Sequence, residues 1–284
     1  MLLNIKLISN CWNYRFSVQK RLFQFLICFS FLRPALAAVI PFPESTSQQF
    51  HTFGLFQDSE CMFVRTNHSE NWLDLAADIP LIGFSDSSKS QVIMTSSYFA
   101  NVTGNRLTQT IDYRMMLSYD TELSSAVLMR IGYNHSSGHA NDDIVDKSLL
   151  GLNLDEDNLI LRLIYTGNRK FRFGFTLLPV LSADPKRQWF SSNQFFEFLP
   201  AEQKVDKSAN FFVAGGIEEY GMSHPEASLH FQTGFYFGNH VLPMHATTAR
   251  LALGAYGGPH PALKQFAFRE LRQSFVYAGL IVDL

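Results

Sequence analysis

The residues best equipped for chemistry stand together in "RIGYNHSSGHANDD", Arg130 to Asp143. His135 and Ser137 are two apart, with Ser136 between them, and His139, Asp142 and Asp143 follow. A histidine beside a serine is the pair that acyl transfer uses as base and nucleophile. In an extended strand the two side chains share one face about 7 Å apart, which is longer than a hydrogen bond. A twist or a bulge at a strand end can close that gap. His139, Asp142 and Asp143 offer nitrogen and hard oxygen ligands that suit a divalent cation held with lipid phosphates. The alternative reading is a polar rim: a solvated loop that meets water and lipid headgroups and does no chemistry.

Composition bears on which reading applies. The chain has 284 residues, 46% hydrophobic and 17% charged, with 27 Phe. The charged fraction is low against the roughly 25% of a typical soluble domain. Residues 1–43 contain no Asp or Glu, and Lys6, Arg15, Lys20 and Arg21 lead into the apolar run "LFQFLICFSFL" and then "ALA" at 35–37. A basic lead, a short apolar run and a small-residue site predict a secretory signal peptide over residues 1–38. The run is shorter than the about 20 residues that a membrane-spanning helix needs. Removal of this segment takes away Cys11 and Cys28, leaving Cys61, so no internal disulfide is expected. It also takes five of the 23 basic residues (Lys6, Arg15, Lys20, Arg21 and Arg33), leaving 18 against 25 acidic, a balance of −7. That balance argues against nucleic acid as a partner.

The remaining chain alternates. In "KFRFGFTLL", Phe171, Phe173, Phe175 and Leu177 oppose Arg172, Gly174 and Thr176. In "LHFQTGFYF", Leu229, Phe231, Phe235 and Phe237 oppose His230, Gln232, Gly234 and Tyr236. Period two means strands. One face dense in Phe and Leu, and another carrying Arg and Gly, suits lipid outside and a packed or polar lumen inside. The expectation is an all-β fold: a single antiparallel transmembrane β-barrel of about 12 strands over residues 51–284, with a flexible leader at 39–50. Strands are expected near 51–57, 76–84, 91–100, 109–119, 124–136, 158–166, 170–181, 188–198, 209–218, 227–238, 247–257 and 274–284. Tyr98, Tyr119, Tyr133, Tyr165 and Trp189 are expected in the aromatic girdles. With the C-terminal end in the periplasm, "DTEL" at 120–123 and residues 167–169 become periplasmic turns. Residues 137–157 and 258–273 become long external loops. Arg114, Arg130, Arg162, Arg172 and Arg250 are expected to form a lumen ladder with Asp112 and Glu197. Location in the bacterial outer membrane would make its lipids and the barrel assembly machinery the partners.

Strand parity then places the opening stretch. Val127, Met129, Ile131 and Tyr133 share the apolar face, and counting on by two puts His135 and Ser137 on the lipid side at the outer rim. A polar pair there is costly unless it lies at the interface or is paired.

"YNHSSG", Tyr133 to Gly138, resembles the active-site strand of outer-membrane phospholipase A, and outer-membrane lipid A deacylases carry a similar His-x-Ser pattern. The resemblance implies Ser137 as nucleophile and His135 as general base. The phospholipase's third residue falls here on Leu149, so Asp157, outward by parity on the neighbouring strand, is the substitute, with Asp142 and Asp143 as others. A hydrolase of this kind would take calcium, for which His139, Asp142 and Asp143 are the candidate ligands. A longer stretch, Thr110 to Asp143, resembles an uncharacterised bacterial outer-membrane family with an Asp-Tyr-Arg strand and a His-x-Ser-Ser-His-Leu-Gly-Asp-Glu stretch. Asp112, Tyr113, Arg114, His135, Ser137, His139 and Asp142 match it, and Gly138, Ala140, Asn141 and Asp143 depart from it. That family implies an outer-membrane barrel and supplies no activity. Two functions therefore stand side by side: a structural or transport barrel, and a lipid acyl hydrolase at the outer rim.

Overall fold

The computed structural model describes residues 39–41, 60–68, 70–84, 90–103, 108–140, 153–168, 170–184, 190–199, 209–221, 226–237, 248–259 and 272–283. They form β1 (Val39–Pro41), β2 (Glu60–Thr66), β3 (Glu70–Phe84), β4 (Gln91–Thr103), β5 (Thr108–Ser124), β6 (Val127–Ala140) and β7 (Asn153–Asn168). These continue into β8 (Phe171–Asp184), β9 (Phe190–Phe198), β10 (Asn210–Gly221), β11 (Glu226–Phe237), β12 (Thr248–Pro259) and β13 (Arg272–Asp283). Each strand from β2 to β13 pairs antiparallel with its neighbours in sequence, and β13 returns to β2, so twelve strands close into a barrel. Closure leaves no open edge, the condition for a sheet in lipid. The short β1 lies within the expected leader and pairs with the far end of β3, Val39 opposite Phe84.

The faces are inverted relative to a soluble sandwich. Phe171, Phe173 and Phe175 are exposed on the outside of β8, while Arg172 and Thr176, at the alternate positions, are buried. Leu229, Phe231 and Phe235 are exposed on β11, while Ser228, His230 and Gln232 are buried. Apolar side chains of this size over a whole wall mark lipid contact rather than water contact.

The lumen is filled. On one side Trp72 stacks between Phe99 and Phe275 with centroids 5.3 and 6.1 Å away, and Tyr256 stacks on Phe275 at 5.2 Å. Tyr236 and Tyr256 point inward, as parity requires. Glycine makes room for these rings: a Cβ on Gly254 would lie 2.3 Å from the Tyr277 ring. On the other side arginines bind across the wall. Arg172 pairs with Glu197 at 2.9 Å and Arg162 donates to Thr176 Oγ1 at 2.8 Å. Arg130, Arg250, Trp72, Tyr236 and Phe212 are all fully buried, so side chains occupy the barrel axis at their levels. We expect no steady ion current from the purified protein in planar bilayers; a stable open-channel conductance would show that the lumen is open.

Three expectations are corrected. The structure has a strand at 60–66 that the alternation does not predict, and β3 begins at 70 rather than 76. The reason is charge within the pattern: Arg65 faces outward and Asp74 is buried inside, and both break the apolar rhythm. The "DTEL" stretch is not a turn, since β5 runs on to Ser124 and the turn is at 125–126. Asp120 therefore sits in the lumen and pairs with Arg130, an acidic member that the expected ladder lacks. Loop asymmetry is only partial. Connections 125–126 and 169–170 are short, but 199–209 and 238–247 on the same rim are long. The expected strand at 51–57 and Trp189 lie outside the described residues.

Candidate active site

β6 alternates without a break from Val127 to Gly138. Leu128, Arg130, Gly132, Asn134 and Ser136 are buried inward, and Tyr133, His135 and Ser137 look outward. Inside, Asn134 Nδ2 donates to Ser136 Oγ at 2.8 Å, which keeps those two polar groups satisfied within the lumen. Ser137 belongs to the strand and not to the loop that follows.

Register decides what stands beside the outward pair. His135 lies opposite Met115 on β5 and Asp157 on β7. Ser137, one outward position nearer the β6–β7 connection, lies opposite Tyr113 and Asp155. The hairpin thus joins residues 22 apart in sequence: His135 Nδ1 is 2.9 Å from Asp157 Oδ1. The side chains are 45% and 26% exposed, so the pair is open on its outer side.

Two more donors converge on the same carboxylate. The Tyr133 hydroxyl, from one outward position below His135, donates to Asp157 Oδ1. Ser182 Oγ, on β8, donates to Oδ2 at 2.6 Å. An ionised carboxylate only accepts, so His135 must donate from Nδ1. A neutral His135 in this arrangement carries its proton on Nδ1 and presents Nε2 as the basic nitrogen, the arrangement a general base requires. The acid and base expected from sequence are therefore hydrogen-bonded partners, and Ser137 shares their face two residues on.

The candidate cation ligands are placed differently. The backbone of His139 is near the end of β6, opposite Ile111 and Asn153, while Asp142 and Asp143 lie outside the described residues. Among the described residues, no three His, Cys, Asp or Glu groups come together as a metal site. Sequence reasoning missed Ser182: the strand expected at 170–181 stops one residue short of it, and counting by two from the lumen-facing Arg172 and Thr176 would turn it inward. The ladder shifts there: Asn158 pairs with Val180, but Asp157 pairs with Ser182.

A closed antiparallel barrel with an apolar outer wall and a packed polar and aromatic interior is a transmembrane β-barrel of the bacterial outer-membrane type. Solved structures agree at the level of fold. Outer membrane phospholipase A from Escherichia coli aligns over 84% of this chain and 96% of its own, with TM-score 0.55 and 13% identity. KdgM porin aligns over 80% of this chain and 99% of its own, with TM-score 0.47 and 8% identity. NanC porin gives 80%, 98%, 0.45 and 9%. No protein-family profile and no curated protein sequence matches the chain, so the resemblance of Thr110 to Asp143 to an uncharacterised family gains no support there.

Proposed function

We propose that this barrel is a lipid acyl hydrolase of the outer membrane, with its active site on the lipid-facing wall. The observation that carries the reading is the His135–Asp157 hydrogen bond at 2.9 Å, outside the barrel and on the face that Ser137 shares. A buried ion pair in the lumen would need no further account, but a histidine held in one tautomer against lipid does. The fold likeness to outer membrane phospholipase A is consistent with this reading, and the packed lumen disfavours a diffusive pore.

In the proposed step, Ser137 Oγ attacks the ester carbonyl of a lipid lying against the wall. His135 Nε2 takes the hydroxyl proton and passes it to the departing alcohol. Water then cleaves the acyl-serine and releases the fatty acid. Asp157 holds the imidazole and stabilises the imidazolium. The oxyanion would be met by the Gly138 amide or by a cation such as calcium held by Asp142 and Asp143. The substrate is already in the bilayer, so no water-filled pocket is required.

The test is to incubate the purified protein in vesicles of phospholipid or of lipid A, with and without calcium, and then treat it with a fluorophosphonate. Expected are fatty-acid release and a covalent adduct on the peptide that contains Ser137. Neither release nor adduct, with either phospholipid or lipid A, would return the barrel to a structural role.

A further inference from the structure

We propose that Ser182 is a positioning residue for the His135–Asp157 pair, delivered to it by a β-bulge that exists in β8 for that purpose. Its consequence for catalysis rests on the hydrolase reading above; the geometry does not.

The outward side of β8 runs Phe171, Phe173, Phe175, Leu177, Pro179 and, by parity, Leu181. Were the ladder regular, Leu181 would lie opposite Asp157. Instead Asn158 pairs with Val180 and Asp157 with Ser182, so Leu181 is the extra residue of a bulge and is itself exposed. A bulge breaks a ladder and leaves a residue unpaired, and at barrel rims and beside active sites it re-aims a side chain or ends the pairing. Here it removes a leucine from the carboxylate and puts a hydroxyl there, with Ser182 Oγ 2.6 Å from Asp157 Oδ2.

The other carboxylate oxygen explains why that matters. Oδ1 already accepts from both His135 and Tyr133. Both of those donors come from β6, one strand to one side. Without a donor from β8, the carboxylate is held from one side only and is free to rotate about its own axis toward the rim. With Ser182, donors from β6 and β8 grip opposite oxygens, and the His135 ring orientation is fixed through them. Hydrogen bonds to a charged group are among the stronger ones in proteins.

Two readouts test this on the full-length protein in micelles or vesicles. The first is fatty-acid release by Ser182→Ala and Ser182→Thr. We expect the alanine variant to lose about tenfold in kcat with KM within about twofold, as for one charged hydrogen bond lost from a supporting residue. The threonine variant, which keeps the hydroxyl, should recover most of the loss. The second is the 15N side-chain spectrum of His135, which needs no substrate. The wild type and Ser182→Thr should show protonated Nδ1 and bare Nε2, and Ser182→Ala a mixture of tautomers. An alanine variant with the wild-type histidine spectrum would overturn the inference, and so would one with wild-type kcat when release depends on Ser137. A wild type that releases no fatty acid but shows the expected tautomer change would sink the hydrolase reading and leave the positioning role standing.

Discussion

On the proposed hydrolase reading, replacing Ser137 with alanine is expected to lower fatty-acid release by roughly ten-thousand-fold to a millionfold, because the covalent route would be lost while lipid binding remains. His135→Ala should match it, and the double variant should be no worse than either, since nucleophile and base act as a unit. The acid behaves differently. Asp157→Ala strips Tyr133, His135 and Ser182 of a common acceptor at once, so a loss of about a thousandfold or more is expected. Asp157→Asn keeps one carbonyl oxygen for Tyr133 and His135 and turns an amide toward Ser182, whose hydroxyl can reverse and accept. Its loss should stay below about a hundredfold. The measurement is initial rate of release from mixed micelles at fixed interface composition. An asparagine variant as impaired as the alanine variant would show that charge, not orientation, is what Asp157 provides.

Much of this site could be read from the sequence because β6 keeps strict alternation from Val127 to Gly138. Under that constraint, His135 and Ser137 have to face outward, and a single hairpin brings Asp157 to the same wall. The barrel was legible for the same reason on β8 and β11, where exposed Phe and Leu alternate with buried polar groups. What escaped was whatever breaks period two. A bulge at Leu181 inverts parity, so Ser182 reads as a lumen residue although it faces out. β2 and the first half of β3 carry Arg65 outward and Asp74 inward, and their rhythm is lost among charges. Asp120 reads as a turn residue because a lone aspartate is disfavoured in a strand. Its partner ten residues away on the next strand cannot be recognised until register is known.

That partner sets the largest expected effect on stability. Arg130 donates from Nε and Nη2 to the two oxygens of Asp120 at 2.8 and 2.7 Å, a two-pronged pair, and both side chains are completely buried. Removing one member leaves a desolvated charge with its main counter-charge gone. Asp120→Ala is therefore expected to cost about 3–5 kcal/mol. Asp120→Asn keeps one acceptor and should cost less. Removing both charges together is another matter: Asp120→Leu with Arg130→Met fills similar volume with apolar groups, and such exchanges are often neutral or stabilising by about 1–4 kcal/mol. The double variant should thus fold at least as well as the wild type, although losing the Asp120 carboxylate alone is badly damaging. Urea unfolding of the barrel in vesicles, followed by the shift between folded and heat-denatured gel mobility, measures all three variants on one scale. Because Arg130 lies inside the barrel and Ser137 outside it, the double variant should also keep the wild-type rate of fatty-acid release. An Asp120→Ala protein with the wild-type unfolding midpoint would mean that water enters the lumen at this level and solvates Arg130, and the barrel would then be open where its packing says it is closed.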